Sequence, residues 1–230
     1  MADNPIRRTG HFQVIVIYQG GSSMIRGVIF DMDGVLIDTE NFYMAQREEF
    51  LKAYGISQGD GTRFFGAMEE DVWKALVPDD EVLQVKLQRY YREYQREHPT
   101  PYASLLNGQV RDVFSKLKAM GLMTAIASSS CSRDIQTVME AAGISELVDY
   151  YISGECCQAP KPAPEIYLRA MEALGLDSSS AIAVEDSPIG IEAALGAGMK
   201  VYALVPSQGR IDQGRATGRL KELHDIFKHV

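Results

Sequence analysis

The chain has 230 residues, 46% of them hydrophobic and 23% charged, which supplies a sizeable core and rules out wholesale disorder. At ~100–200 residues per domain, this length fits one domain carrying a smaller insertion. A formal charge of −8 argues against a nucleic-acid backbone as partner, and no window approaches the ~18 uninterrupted apolar residues of a membrane span.

Residues 1–23 hold one apolar stretch, Phe12 to Tyr18, ahead of Gln19-Gly20-Gly21-Ser22-Ser23. It is marginal as a signal-peptide core and lacks the usual small-residue cleavage pattern. It suits an extra edge strand or a leader equally, with Met24 as a second plausible start, and no function is assigned to it. From Met24 onward, β-rich runs alternate with helical ones. The predicted strands are Val28 to Phe30, Met123 to Ala127, Tyr150 to Ile152, Ala181 to Val184 and Val201 to Val205. Helical patterns cover about 109–120, 132–142, 164–175 and 188–197, with Gly121, Gly143, Gly175 and Gly198 where those helices should stop. This rhythm predicts parallel βαβ units, an α/β doubly wound sheet covered on both faces.

One segment breaks the rhythm. Residues 39–105 contain no strand signal and read as helices over Asn41–Tyr54, Glu69–Leu76 and Asp79–Glu97, closed by Pro99 and Pro101. They are expected to form a helical cap domain inserted into a core made of 24–38 and 106–230. The hinges would lie near Asp38-Thr39 and near Pro101 to Leu105. Cys131, Cys156 and Cys157 are an odd set without CxxC spacing, which argues against disulfides and for a reducing, cytoplasmic setting. The expectation for all three is a small buried apolar side chain.

Four polar clusters follow four predicted strands. Asp31 and Asp33, two residues apart, share a face past the first strand, and Gly34 allows a sharp turn there. Two carboxylates so close need a proton or a divalent cation between them. An Asp-Gly turn with a helix cap at Asp38 or Thr39 would explain that motif alone. An EF-hand is excluded, because Gly34 comes too early. Ser128, Ser129 and Ser130 follow the second strand as an anion nest or an ordinary helix cap. Lys161 sits in the proline-stiffened run Ala159-Pro160-Lys161-Pro162-Ala163-Pro164, and Glu185-Asp186-Ser187 follow the fourth strand. Their convergence on the carboxyl edge of one sheet, where open α/β folds bind ligands, points to phosphoryl transfer. Carboxylates suit Mg²⁺, while lysine and the serine nest suit phosphate oxygens.

The four motifs, in order, resemble those of the haloacid dehalogenase superfamily, in the subgroup with a helical cap after the first motif. Phe30 to Thr39, Ile126 to Ser129, Lys161 to Tyr167 and Val184 to Ile191 carry the resemblance, which runs from about Met24 to Val205. It implies that Asp31 is the nucleophile, forming an aspartyl-phosphate, and that Asp33 is the general acid and base. It further implies Mg²⁺ on Asp31, the Asp33 carbonyl and Asp186, with Glu185 close by or behind them. Lys161 and Ser128 would hold the phosphoryl group, with N–H groups near Ser129 assisting.

Asp33 is missing from true dehalogenases of that superfamily, so its presence counts against carbon–halogen chemistry. Lys52 and Lys74 are available for a Schiff base, but the first motif does not resemble that of the phosphonate hydrolases. The beta-phosphoglucomutase branch is nearer; it carries a histidine where this chain has Tyr43, and a cap-loop arginine where it reads Gly66-Ala67-Met68-Glu69-Glu70-Asp71. Arg63 is the nearby cation that could replace it. Phe64, Phe65, Glu69 and Trp73 either line a pocket or fill the cap's core, with core packing the expectation for Trp73. The reading is a Mg²⁺-dependent phosphatase of a small phosphorylated metabolite such as a sugar or nucleoside phosphate, with no nucleic-acid or membrane partner, monomeric or weakly dimeric. The alternatives are a phosphosugar mutase and a non-catalytic phosphometabolite-binding protein.

Overall fold

The computed structural model describes residues 24–65, 67, 69–207 and 211–230; the apolar stretch within residues 1–23 lies outside them. Among the described residues, six parallel strands form one sheet: β1 (Gly27–Phe30), β2 (Met123–Ser128), β3 (Tyr150–Ser153), β4 (Ala181–Glu185), β5 (Lys200–Leu204) and β6 (Gly218–Leu220), in the order β3-β2-β1-β4-β5-β6. Strands covered on both faces need apolar side chains at every position, not at alternate ones. β1 meets this with Gly-Val-Ile-Phe, buried throughout.

Helices α5 (Val110–Ala119) and α6 (Ser132–Ala141) bury Val113, Phe114, Leu117, Ile135 and Val138 against Val28 and Phe30 on one face. Helices α7 (Glu165–Leu174) and α8 (Pro188–Gly196) pack Ile166, Ala170, Ile191 and Ala194 on the other, against Ile29. The chain builds outward from β1 through β2 to β3, then returns to place β4 on the opposite side of β1. That reversal opens a crevice at the carboxyl ends of β1 and β4.

Residues 39–105 fold as helices, as their pattern predicts: α1 (Thr39–Lys52), α2 (Glu69–Leu76), α3 (Glu81–Glu97) and the short α4 (Tyr102–Leu105). Helix α3 starts at Glu81 because the Asp80 carboxylate accepts the Leu83 N–H at 2.8 Å and caps it. Phe50, Leu51, Trp73, Leu87 and Tyr91 form a separate small core, which places Trp73 in packing as expected. The two strands of chain that enter and leave this segment are joined to each other. Ile37 and Leu106 form an antiparallel bridge, the Asp38 N–H donates to the Leu105 carbonyl at 2.8 Å and the Asn107 N–H to the Leu36 carbonyl at 2.9 Å.

Two features differ from the sequence reading. β6 and the 3-10 turn Leu223–Lys228 behind it were not foreseen; β6 is three residues, Gly-Arg-Leu, without a β-branched or aromatic side chain. The cysteines are thiols, but Cys156 is exposed and Cys131 and Cys157 are half-buried, so none is the fully buried apolar residue expected. Among the described residues, no helix is long and apolar enough to cross a membrane.

Candidate active site

Register brings the polar clusters together. Phe30 pairs with Ile126 on one side and Val184 on the other, so Asp31, Ala127 and Glu185 form a row at the sheet's carboxyl edge. The Asp31 N–H extends the ladder by one bond, to the Val184 carbonyl at 2.9 Å. The chain then turns at Gly34, whose φ is +77°; a Cβ there would overlap the Asp186 carboxylate. Glycine is thus required both by backbone conformation and by the closeness of β4.

Lys161 is the hub. Its Nζ donates to Asp31 Oδ1 at 2.6 Å, Glu185 Oε1 at 2.7 Å and the Ala127 carbonyl at 3.1 Å. An ammonium has three donors, so holding a phosphate would require one of these bonds to exchange. Burial opposes the charge on Lys161, but Asp31 and Glu185 outweigh it and hold the pKa well above the ordinary lysine value. Tyr167, the last residue of the third motif, donates its hydroxyl to Glu185 Oε1 at 2.6 Å. The other Glu185 oxygen accepts the Asp186 N–H at 3.1 Å and the Ser187 hydroxyl at 3.4 Å. Both Glu185 oxygens are committed to the protein, and a Cβ at Gly190 would overlap them. Glu185 is built as a support for Lys161.

Asp33 lies in a different setting. Its Oδ1 accepts the Thr39 hydroxyl at 2.8 Å and its Oδ2 the Ser130 hydroxyl at 2.7 Å. Burial raises its pKa, and those two hydroxyls pull it back. Thr39 therefore serves Asp33, while Asp38 precedes α1 without a side-chain capping bond. Of the three serines, Ser128 is fully buried, its Oγ accepting the Ser130 N–H at 3.0 Å. Ser129 is exposed, and it is Ser130 that touches a carboxylate.

Asp31, Glu185 and Asp186 each offer a carboxylate oxygen, all within 4.8 Å of one another and all buried. The Asp33 side chain is not part of this group. Burial pushes the Asp31 carboxyl up to about 8 although Lys161 pulls it down, and Glu185 and Asp33 push the same way as burial. Burial, then Glu185 and Asp31, pushes Asp186 well above the usual carboxylate value. The crowd of oxygens exceeds what one ammonium neutralises. Hard oxygen donors, with Asp31 and Asp186 the two not saturated among the described residues, fit a small divalent cation such as Mg²⁺.

The family model described as haloacid dehalogenase-like hydrolase matches residues 28–204. A phosphorylated carbohydrates phosphatase from Thermotoga maritima is 30% identical over 199 residues, 84% of this chain and 89% of that one. Hexitol phosphatase B from Escherichia coli is 28% identical over 199 residues, covering 82% and 87%. The crystal structure of a beta-phosphoglucomutase from Clostridium difficile has a TM-score of 0.66 at 20% identity, covering 88% of this chain and 93% of that one, a likeness of fold.

Proposed function

The chain belongs to the haloacid dehalogenase-like hydrolase family, and from that premise we propose a Mg²⁺-dependent phosphatase of small phosphorylated metabolites, sugar phosphates foremost, working through an aspartyl-phosphate. One observation carries this reading: two carboxylates two residues apart sit in different environments, Asp31 on an ammonium and Asp33 on two hydroxyls. Groups so differentiated suit different tasks. Lys161 fixes Asp31 through Oδ1, and among the described residues no hydrogen bond reaches Oδ2. That oxygen is the nucleophile in this reading, attacking phosphorus and splitting one slow displacement into two faster ones.

Asp33, its pKa raised by burial, protonates the leaving oxygen and then takes a proton from the water that opens the phosphoenzyme. Thr39 and Ser130 aim it for both steps. Asp31, the Asp33 carbonyl and Asp186 would hold Mg²⁺, with Glu185 orienting Lys161 behind them. When bound, the ion supplies charge neutralisation to the transferring phosphoryl group. In-line positioning and these fixed charges are the expected source of the acceleration. The helical segment 39–105 acts as a cap over the crevice. A phosphosugar mutase would use the same two aspartates and differ in the acceptor, a sugar hydroxyl in place of water.

The test is release of phosphate from p-nitrophenyl phosphate with Mg²⁺, none with EDTA, and none from Asp31→Asn. That substitution barely changes volume, so the variant should keep its circular-dichroism spectrum. Turnover at the wild-type rate in a folded Asp31→Asn protein sinks the covalent mechanism.

A further inference from the structure

Asp186 is 3% exposed, and among the described residues no hydrogen bond reaches its carboxylate. A buried carboxylate facing two others, Asp31 and Glu185, is pushed away from them by their charge. Its backbone is what keeps it in place. The Asp186 N–H donates to Glu185 Oε2 at 3.1 Å, which fixes the peptide on one side. On the other side the Asp186 carbonyl accepts from Gln213 Nε2 at 2.8 Å. β4 has already ended at Glu185 and α8 begins only at Pro188, so this carbonyl belongs to neither ladder. Among the described residues, Gln213 is the donor that holds it.

Gln213 follows β5 in the chain, 27 residues from Asp186. It is buried while Asp212, Gly214 and Arg215 beside it are exposed, so this one side chain turns inward from a solvated stretch. Its second amide hydrogen goes to the Leu204 carbonyl at 2.7 Å, at the end of β5. Both partners are acceptors, which settles that the amide nitrogen faces them. β4 and β5 are neighbours, with Glu185 in register with Ala203, so one planar amide ties together the carboxyl ends of two adjacent strands. Burying an amide is costly unless its donors are used, and here both are. The match is specific: asparagine would stop one methylene short, and methionine has the length but no donor.

We propose that Gln213 is a positioning residue for the Asp186 carboxylate. It fixes the Asp186 carbonyl and, through that peptide, the direction in which the side chain leaves the backbone. Asp186 then faces Asp31 against their mutual repulsion, and the pair stands ready for a divalent cation without paying to be ordered at the moment of binding. The inference rests on Mg²⁺ being held by Asp31 and Asp186, as in the proposed function. Groups that orient a metal ligand are worth ~10–100-fold in metal affinity. Gln213 acts on the ligand's backbone and shares the task with Glu185, so the low end of that range applies.

The experiment is calorimetric titration of Mg²⁺ into the full chain after removal of metal with EDTA and dialysis, at a temperature where every variant keeps its native circular-dichroism spectrum. Gln213→Met removes both donors at constant length, and Gln213→Asn keeps a polar amide should the methionine variant misfold. Thr217→Val is the control: its hydroxyl oxygen accepts the Val201 N–H at 3.0 Å, a bond beyond the same strand that does not involve Asp186. The Mg²⁺ Kd should rise about tenfold in the Gln213 variants and stay within about twofold in Thr217→Val. The Mg²⁺ concentration giving half-maximal turnover of p-nitrophenyl phosphate should rise by the same factor, with kcat at saturating Mg²⁺ returning close to wild type. A side chain that merely braces two strand ends would lower the melting temperature in EDTA and leave the Mg²⁺ Kd unchanged. That result, an equal rise in Thr217→Val, or no Mg²⁺ binding by wild type overturns the proposal. Turnover by wild type tests the phosphatase reading separately; if it fails while Mg²⁺ affinity still depends on Gln213, the positioning role stands without it.

Discussion

Replacing Lys161 with methionine removes the ammonium that, among the described residues, touches both Asp31 and Glu185. The perturbation is nearly isosteric, so its effect is electrostatic. Both ion pairs are short, at 2.6 and 2.7 Å, and all three side chains are under a tenth exposed. Breaking a buried pair by deleting one partner costs about 3–5 kcal/mol, because the remaining charge stays desolvated. Here the low end of that range applies. Glu185 keeps the Tyr167 hydroxyl and the Asp186 N–H, which continue to stabilise its charge. At ~2–4 °C per kcal/mol for a chain of this size, thermal melts in EDTA should fall by about 6–12 °C. Saturating Mg²⁺ should return more of that loss in Lys161→Met than it adds to wild type, since the ion restores positive charge to the same carboxylates. Phosphatase turnover should be lost under both conditions. A Lys161→Met protein that melts within about 2 °C of wild type in EDTA, far short of the cost of breaking a buried pair, would refute the view of Lys161 as the counter-ion that makes this cluster tolerable.

Asp33→Asn removes the water-activating base while Asp31 remains, so a brief exposure to a reactive phosphate donor should leave a mass increase of roughly 80, one phosphoryl group, on the peptide containing Asp31; a label on serine or histidine instead would reassign the roles. With β-glucose 1-phosphate and glucose 1,6-bisphosphate, Tyr43 in place of the mutase histidine predicts mainly inorganic phosphate, and efficient conversion to glucose 6-phosphate would promote the mutase alternative. Glu165 accepts the N–H groups of Gln158 and Ala159 at 2.9 and 3.0 Å, which hold its pKa below the usual value, Ala159 contributing most. A depressed folded pKa means that this contribution is present above the unfolded value of ~4.3 and disappears as pH falls through the folded one. Melts from pH 7 down to about 3 should therefore lose part of their acid sensitivity in Glu165→Gln, and unchanged curves would show that the carboxylate does not brace the Lys161 loop.

The parts legible in the sequence share a physical reason: they depend on the chain's own periodicity. Buried parallel strands must be continuously apolar, so β1, β2 and β4 were visible within a residue at each end. Gly121, Gly143, Gly175 and Gly198 all have positive φ, as residues that end helices should. The convergence of Asp31, Lys161 and Asp186 was expected from their places after strands of one parallel sheet. Less legible were residues whose role comes from neighbours distant in sequence. Thr39 and Ser130 read as helix caps, and only the fold puts both hydroxyls on Asp33. The Tyr167 hydroxyl is likewise invisible in a helix whose other inward residues are aliphatic.

The bridged crossing at Ile37 and Leu106 has a consequence for how such a protein diversifies. Because the ends of 39–105 meet as hydrogen-bonded neighbours, the sheet experiences the whole segment as it would a tight hairpin loop. Its length and interior can change at little cost to the strands, since closing a longer loop adds only a slowly growing entropy term. The segment also carries its own core around Trp73 and Leu87, and only its last turn, with Tyr102 and Leu105, packs against the core under the sheet. On the proposed function, reactivity and selectivity would then be carried by separate pieces of chain. A graft of a different helical insert between Asp38 and Leu105 should exchange which molecules are admitted while the aspartates and the lysine keep their places.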